Sequence, residues 1–214
     1  MSWLLAGVLI FVAYLLGSIA TGYWLGRALK QIDIREVGSG STGATNVLRA
    51  LGAPAAIFVL VIDIGKGALA VNLLNLLPIN LSTQIPEHLR SWLIVLMAIT
   101  VILGHSKSIF LRFGGGKSVA TALGVFLSMT PIVGLIALLS FLLFLSIFRI
   151  VSLSSIIASI FLVIAMFALK EPLAYSLLGI IASGYIIVRH KSNIQRLIAG
   201  NEPKIGQKTN LKNL

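Results

Sequence analysis

Three polar segments with anion-binding residue types interrupt an otherwise apolar chain of 214 residues. They read GSGSTGATNVLR from Gly38 to Arg49, GHSKSIFLRFGGGKSVAT from Gly104 to Thr121, and RHKSNIQRLIAGNE from Arg189 to Glu202. Glycines let successive backbone N–H groups converge on an anion, hydroxyls add donors, and Arg or Lys supplies positive charge. The three segments together predict a site for phosphate groups.

In the first segment, Ser39, Gly40 and Arg49 are the candidate phosphate ligands. The guanidinium of Arg49 offers a bidentate fork that matches phosphate oxygens. The alternative is a flexible Gly/Ser turn between two helices, but a pure linker needs neither Asn46 nor Arg49.

The second segment contains the run GGGKS, in which Gly115, Gly116 and Lys117 are candidate phosphate ligands. This run resembles the end of a P-loop, but that pattern requires glycine where the chain has Leu111, so an NTPase is disfavoured. A glycine run that enters a helix N-terminus still presents free amides to an anion. The alternative is a re-entry loop with one snorkelling Lys. His105 is either an interfacial hydrogen-bonding residue or a participant in the chemistry.

In the third segment, His190 and Asn193 lie three residues apart, on one face if the last span continues as a helix. His190 is a candidate general base or a donor to a phosphate oxygen. Alternatively, the basic residues here are only the ordinary stop after a span. Ser155 belongs to a serine cluster at residues 152–155, which either caps a helix or lies beside a polar head group.

The composition requires a membrane to position these segments. Hydrophobic residues make up 57% of the chain and charged residues only 11%, which is too apolar for a soluble domain. The net charge of +11 lies in short loops beside apolar runs, where it meets anionic lipid rather than nucleic acid. The chain has no Cys, so disulfides, thiolate metal sites and Cys nucleophiles are excluded.

Seven apolar runs are separated by turn or helix-stopping residues, which predicts an all-α integral membrane protein with seven transmembrane helices, some short. One helix over residues 118–148 would be too long for a single crossing, so Pro131 is predicted to divide it. The predicted spans are residues 3–26, 53–77, 91–104, 118–129, 132–148, 153–169 and 173–189.

Positive charge decides the orientation of the spans. With seven crossings, fourteen of the seventeen Lys and Arg residues fall on one side, whereas six crossings would divide the loop residues evenly. The positive-inside rule therefore predicts an outside N-terminus and a cytoplasmic C-terminus, with all three polar segments at the cytoplasmic face. We predict one membrane domain over residues 1–202 and a polar, basic cytoplasmic tail over residues 203–214.

Asp63 and Lys66 are the charged residues inside a predicted span, at positions i and i+3. Each costs about 2.5–3.5 kcal/mol to insert, so a mutual ion pair that faces the bundle is the expected arrangement. A role in transport is the alternative.

The three segments are similar to those of the bacterial membrane glycerol-3-phosphate acyltransferases of the PlsY type, which use acyl phosphate as donor. The matching stretches are GSGSTGATNVLR, GH with FLRFGGGKSVAT, and RHKSNIQRL followed by G-x-E at Gly200 to Glu202. The resemblance covers residues 1 to 202 and includes the number of spans. This chain has Ser41-Thr42 where Asn-Pro is frequent in the family, which leaves the phosphate-binding glycines intact.

The resemblance implies transfer of a fatty acyl group from acyl phosphate to the 1-hydroxyl of sn-glycerol 3-phosphate, which gives lysophosphatidic acid and phosphate in phospholipid synthesis. It implies an enzyme of the bacterial cytoplasmic (inner) membrane with a cytoplasmic active site, no metal or cofactor, and a functional link to an enzyme that forms acyl phosphate. By position, the implied catalytic residues are Ser39, Lys117, His190 and Asn193, and the phosphate-binding set adds Gly40, Arg49, Gly115, Gly116 and Ser155.

The base that takes the hydroxyl proton is either His190 or a substrate phosphate oxygen. We favour the phosphate, because Arg189 and Lys191 flank His190 and disfavour its protonation. Two other classes stay open. An anion transporter would place its binding groups near the midplane, where only Asp63 and Lys66 lie, and a structural partner protein would leave the three segments without a use.

Overall fold

The computed structural model describes residues 2–207, which form eleven α-helices and two short 3-10 turns, with no strand among them. The basic tail residues Lys208 and Lys212 lie outside the described residues. The helices are α1 (Ser2–Ser18), α2 (Thr21–Lys30), α3 (Ala44–Leu51), α4 (Ala53–Asn72), α5 (Ile79–Ser82), α6 (Glu87–Ser106), α7 (Val119–Met129), α8 (Pro131–Phe148), α9 (Val151–Ala168), α10 (Leu173–Arg189) and α11 (Lys191–Ile198).

Five candidate membrane spans are long and apolar enough to cross a bilayer, and a sixth is obtained if α10 and α11, bent by 60°, count as one. The first of them combines α1 and α2, and α7 is a shorter apolar helix. Large apolar side chains such as Leu139, Leu143 and Phe167 are exposed on the outside of the bundle, as lipid-facing residues should be. The all-helical membrane class is confirmed, while seven crossings and the orientation of the termini stay predictions.

The predicted first span, residues 3–26, is interrupted where α1 ends and α2 begins. The two carbonyl groups freed at this break accept hydrogen bonds from other segments. Ser108 Oγ donates to Ser18 O at 2.6 Å, and Lys66 Nζ donates to Ile19 O at 2.9 Å. At the break, two hydrogen bonds within a helix are thus replaced by two hydrogen bonds to distant residues. The local apolar sequence does not predict this break.

The predicted division at Pro131 is confirmed, because α7 ends at Met129 and α8 begins at Pro131. Thr130 is the residue between them, and its amide still closes the last turn of α7 on Phe126 O at 2.9 Å. The Gly134 amide in the first turn of α8 donates to Thr130 O at 2.9 Å, so both helices end with satisfied backbone groups.

Glycines bring the central helices into close contact. A Cβ atom at Gly17 of α1 would lie 2.2 Å from Val101 O of α6, and one at Gly124 of α7 would lie 1.9 Å from Ile64 O of α4. Small residues at such crossings are the usual means of close packing between membrane helices. The α4–α7 contact is the one that concerns the site, because α7 begins immediately after the GGGKS run.

Candidate active site

One cavity of about 280 Å³ contains side chains from all three polar segments. Its lining includes six of the predicted site residues: Ser39, Arg49, Lys117, Ser155, His190 and Asn193. The apolar part of the lining comes from deeper turns of the helices and includes Leu123, Phe126, Leu138, Phe141, Leu142 and Leu162. The cavity thus joins a polar, cationic mouth to an apolar groove between α7, α8 and α9.

Three helices begin at the polar mouth: α3, α7 and α9. None of them has a side-chain hydrogen bond at its N-cap. The first amides of a helix have no intrahelical partner and carry about half a positive charge, so an uncapped N-terminus attracts anions. The cavity is lined at these helix starts by Ala44, Thr45, Ser118, Val119, Val151 and Ser152.

Asn46, which is almost fully buried, holds the first polar segment in shape. The two hydrogens of its amide nitrogen are shared among Ile34 O at 2.9 Å and Val37 O and Ser41 O at 3.0 Å, and its carbonyl oxygen accepts from Ser39 N at 3.0 Å. The segment is therefore an ordered loop rather than a flexible linker.

Arg49 projects from α3 into the cavity and is half-buried. Within the described residues its guanidinium makes no hydrogen bond to the protein. Its five donors are therefore available to an anion, and the fork geometry suits two oxygens of one phosphate.

Lys117 begins a chain of polar contacts that crosses the mouth of the cavity. Its Nζ donates to Asn193 Oδ1 at 2.5 Å, and Asn193 Nδ2 donates to Glu202 Oε1 at 2.6 Å. Glu202 also accepts from Ser152 Oγ and from Arg196 Nε, each at 2.7 Å. The chain fixes the Asn193 amide so that its oxygen faces Lys117.

Burial lowers the pKa of Lys117 to about 8, although Glu202 opposes the shift. Glu202 has the reverse balance: burial acts against its charge, but hydrogen bonds from Asn193, Ser152 and Arg196 lower its pKa below the usual value. At neutral pH the mouth of the cavity therefore contains a charged lysine beside a compensated carboxylate.

His190 lies at the bend between α10 and α11, and its Nδ1 is 2.8 Å from Ile186 O. A carbonyl only accepts, so Nδ1 carries the proton of the neutral ring and Nε2 has a lone pair. Burial, and then the neighbouring Lys117, lower the pKa of His190 to about 4. The last span does not continue as one helix, because α10 and α11 meet at His190 at an angle of 60°, yet the side chains of His190 and Asn193 both line the cavity.

The candidate glycines do not line the cavity among the described residues. The Gly40 amide donates to Val37 O at 3.2 Å, and the Gly116 amide donates to His105 O at 3.1 Å. These N–H groups are thus used inside the protein, and Gly40 and Gly116 shape their loops. The expected free amides come instead from the helix N-termini beside the loops. Gly115 packs against the same carbonyl, since a Cβ there would lie 2.3 Å from His105 O.

The predicted Asp63–Lys66 ion pair is confirmed, with 2.8 Å between Oδ1 and Nζ. His105 completes a buried cluster: its Nδ1 lies 2.8 Å from Lys66 Nζ and 3.4 Å from Asp63 Oδ1. Asp63 and His105 also line the cavity. Among the described residues, no group of three or more His, Cys, Asp and Glu side chains could hold a metal ion.

Sequence reasoning did not select Glu202 and Ser152 as site residues. A carboxylate alone repels a phosphate, and only the fold shows that Arg196 compensates Glu202 and that Glu202 holds Asn193. Ser152 is the member of the serine cluster that contacts Glu202, whereas Ser155 Oγ donates to Val151 O at 2.9 Å within its helix. The G-x-E motif at the end of the third segment was the available signal for Glu202.

The fold and the site define an integral membrane protein with a polar cavity that suits an anionic, lipid-like molecule. The chain belongs to the glycerol-3-phosphate acyltransferase family, whose model matches residues 7–200. Two relatives described as glycerol-3-phosphate acyltransferases come from Rippkaea orientalis and Crocosphaera subtropica. The first is 57% identical over 97% of this chain and 96% of the relative, and the second is 54% identical over 97% of each.

Two crystal structures of PlsY, an integral membrane glycerol 3-phosphate acyltransferase, have the same fold. The glycerol 3-phosphate form is 38% identical with a TM-score of 0.84, over 94% of this chain and 96% of that one. The lysophosphatidic acid form is 37% identical with a TM-score of 0.81, over 94% and 95%. The chain is therefore an integral membrane acyltransferase of phospholipid synthesis, of the PlsY type.

Proposed function

We propose that this enzyme transfers a fatty acyl group from acyl phosphate to the 1-hydroxyl of sn-glycerol 3-phosphate, giving lysophosphatidic acid and inorganic phosphate. The reaction takes place at the cytoplasmic face of the bacterial inner membrane. The acyl phosphate comes from a separate enzyme that forms it. Ser39, Arg49, Lys117, Ser155, His190 and Asn193 hold the two phosphate groups.

The observation that carries the proposal is the continuity between the cationic mouth and the apolar groove. The mouth contains two cations, Arg49 and Lys117, neither of which forms an ion pair with a carboxylate among the described residues. Three helix N-termini without a side-chain cap also lie there. The groove is formed by apolar residues such as Phe126 and Leu162. An acyl phosphate has the same division, a dianionic head on a long apolar chain, and glycerol 3-phosphate adds a second phosphate to the mouth.

The mixed anhydride of acyl phosphate is already activated, so no acyl-enzyme intermediate is required. The 1-hydroxyl oxygen attacks the carbonyl carbon, and the tetrahedral intermediate collapses with cleavage of the bond between that carbon and the phosphate oxygen. Phosphate leaves with the electron pair. The task of the protein is to bring two dianions together and to stabilise the developing oxyanion, which Lys117, Arg49 and the helix amides are suited to do.

The hydroxyl proton passes to a phosphate oxygen. His190 has a pKa of about 4 in the free protein, whereas the second pKa of a phosphate ester is about 6, so the phosphate is the stronger base. In the free protein the neutral His190 ring has its lone pair on Nε2, because Nδ1 donates to Ile186 O. A bound dianion beside the ring raises the pKa of His190, and a ring that is already the imidazolium cannot take the hydroxyl proton; its Nε2 then donates to a phosphate oxygen.

The proposal is tested with purified protein in detergent, supplied with palmitoyl phosphate and glycerol 3-phosphate. We expect phosphate release and lysophosphatidic acid that depend on both substrates, and loss of both products in Lys117→Ala. Palmitoyl-coenzyme A in place of palmitoyl phosphate should give no product. Lys107→Ala, an exposed lysine outside the cavity lining, is the matched control and should retain activity.

Folded wild-type protein that forms no product would overturn the acyltransferase reaction with this donor. Product from the thioester at an equal rate would overturn the donor assignment. Donor-independent counterflow of labelled glycerol 3-phosphate in proteoliposomes would instead support the anion transporter.

A further inference from the structure

The Asp63–Lys66–His105 cluster has no part in the reaction described above, although it is buried beside the cavity. The three side chains are all more than nine-tenths buried. They join three elements, because Asp63 and Lys66 belong to α4, His105 belongs to α6, and Lys66 Nζ also donates to Ile19 O at the break after α1. Burying an ion pair in a membrane protein is costly, which makes a purely incidental pair an unsatisfactory explanation.

The cluster contacts the glycine run of the second polar segment through His105. Its carbonyl oxygen accepts the Gly116 amide at 3.1 Å. Its ring lies against the same glycine, since a Cβ atom on Gly116 would be 2.1 Å from His105 Nε2. The glycine run therefore lies directly on the backbone and the ring of His105.

The other side of Gly116 is also fixed. Its carbonyl accepts from Arg189 Nη2 at 3.1 Å, and the next residue, Lys117, extends its ammonium to Asn193. A shift of the His105 ring would move Gly116 and, through one peptide unit, the backbone that carries Lys117. Displacements of about 1 Å at a site of this kind have large effects on substrate alignment.

We propose that Asp63, Lys66 and His105 are positioning residues: they form a buried support that fixes the Gly115–Lys117 loop beside the cavity, and so the position of Lys117 in it, and thereby set the affinity for the phosphate-bearing substrates. The ion pair holds the imidazole, the imidazole and its carbonyl hold Gly116, and Gly116 places Lys117. This inference rests on the proposed reaction, because its effect is measured on those substrates.

Two variants at the contact between Gly116 and the His105 ring test whether the cluster positions the loop. Gly116→Ala adds a methyl group that collides with the ring, and His105→Ala removes the ring. We expect each to raise the KM for glycerol 3-phosphate or palmitoyl phosphate at least about tenfold, with a smaller change in kcat. In the double variant the methyl group occupies space vacated by the ring. Its KM should therefore lie at least about tenfold below the product of the two single effects, a coupling typical of residues in contact.

Imidazole provides a second measurement on His105→Ala. If the ring supports the loop, added imidazole should return the KM towards the wild-type value, whereas it should not change the KM of Gly116→Ala. Strict additivity in the double variant, together with no effect of imidazole, would overturn the proposal.

A variant in which both charges of the Asp63–Lys66 pair are removed tests whether the pair positions the loop or only stabilises the fold. Asp63→Leu combined with Lys66→Met removes both charges, and such replacements of a buried pair are often tolerated. We expect this variant to be monodisperse but to keep a raised KM, because His105 has lost both partners. Wild-type KM and kcat in the folded variant would show that the pair only stabilises the fold. If this variant does not fold, the comparison of Gly116→Ala, His105→Ala and their double variant tests the proposal.

Every variant is compared with the wild-type enzyme in the same assay. Absence of wild-type product overturns the proposed function, whereas an active wild type with unchanged variants overturns only the positioning role.

Discussion

Lys117 is the residue of the site whose charge changes within an experimentally accessible pH range. Burial holds its pKa near 8, below the usual lysine value of 10.5, so the free enzyme loses this cation as the pH rises through about 8. A lost ammonium removes attraction for a dianion. We therefore expect kcat/KM to fall between about pH 7 and 9, and the fall to disappear from this range in Lys117→Arg, since guanidinium stays charged. The measurement is a pH profile of kcat/KM for glycerol 3-phosphate.

Lys107→Arg is the control, because Lys107 is exposed and lies outside the cavity lining. Its profile should keep the wild-type shape. An unchanged fall in Lys117→Arg, whatever its absolute activity, would show that another group is responsible.

Glu202 supports the site through its charge. In Glu202→Gln the side-chain NH2 group must face Arg196 or Ser152, both of which are hydrogen-bond donors to the native carboxylate. Loss of these charge-assisted hydrogen bonds should lower the stability by about 1.5–3 kcal/mol. Because Glu202 raises the pKa of Lys117, the alkaline fall in kcat/KM should also begin at lower pH. Thermal unfolding and the same pH profile measure the two effects.

The stability effect of Glu202 has a defined pH dependence. The folded-state pKa of Glu202 is lowered, so its contribution is present above the usual carboxyl value of 4.5 and is lost as the pH falls below it. The difference in stability between wild type and Glu202→Gln should shrink in acid. Glu36→Gln, at an exposed carboxylate, should change neither stability nor the profile. A Glu202→Gln protein as stable as wild type at pH 7 would contradict this account.

The site residues that could be predicted from the sequence are those whose chemistry is visible locally. Arg49, Lys117 and His190 stand in polar segments of a membrane protein, and the structure brings them to one cavity. Glu202 was visible in a G-x-E motif, but its role could not be predicted, because that role depends on the contacts with Asn193 and Arg196 in the folded chain. The glycines were predicted to present amides, but tertiary packing against His105 uses the one at Gly116.

At the scale of elements, the contact of α4 with α7 determines where the GGGKS run lies. Gly124→Ala would put a methyl group 1.9 Å from Ile64 O, so the two helices must separate. We expect a destabilisation of about 1–3 kcal/mol, as for overpacking in a core. We also expect a reduced kcat/KM, because the N-terminal turn of α7 lines the polar mouth of the cavity. The temperature at which half of the detergent-solubilised protein stays monodisperse measures the first effect.

Gly65→Ala is the matched control for this helix pair. Gly65 also lies in α4, but nothing comes within 4 Å of an added Cβ atom. Alanine is the better helix former by about 0.5–1 kcal/mol, so this variant should be as stable as wild type or slightly more stable. Equal behaviour of Gly124→Ala and Gly65→Ala would contradict the close packing of α4 and α7.

The helix boundaries show what apolar patterning can and cannot predict. The division at Pro131 was predictable because proline lacks an amide donor and the run was too long for one crossing. The break after Ser18 was not, since its cause is the use of Ser18 O and Ile19 O by Ser108 and Lys66, which lie far along the chain.

At the scale of the whole molecule, the polar contacts bear on the number of crossings. Lys117 contacts Asn193, and Asn193 and Ser152 both contact Glu202, so residues 117, 152 and 193 lie at the same face of the bundle. An even number of crossings must therefore separate residue 117 from residue 152. With α8 as an 18-residue candidate span, the predicted crossing of the short α7 would satisfy this requirement, so the contacts favour the prediction of seven spans.

Cysteine labelling tests this topology directly, because the chain has no cysteine of its own. Thr83 and Ser192 are both exposed, and five predicted spans separate them. In intact cells a membrane-impermeant maleimide should label Thr83→Cys, whereas Ser192→Cys should react only after permeabilisation. Labelling of both from outside would mean that α7, about 16 Å long at 1.5 Å per residue, does not cross. Labelling of Ser192→Cys alone would invert the predicted orientation and move the cationic mouth of the cavity away from the cytoplasm.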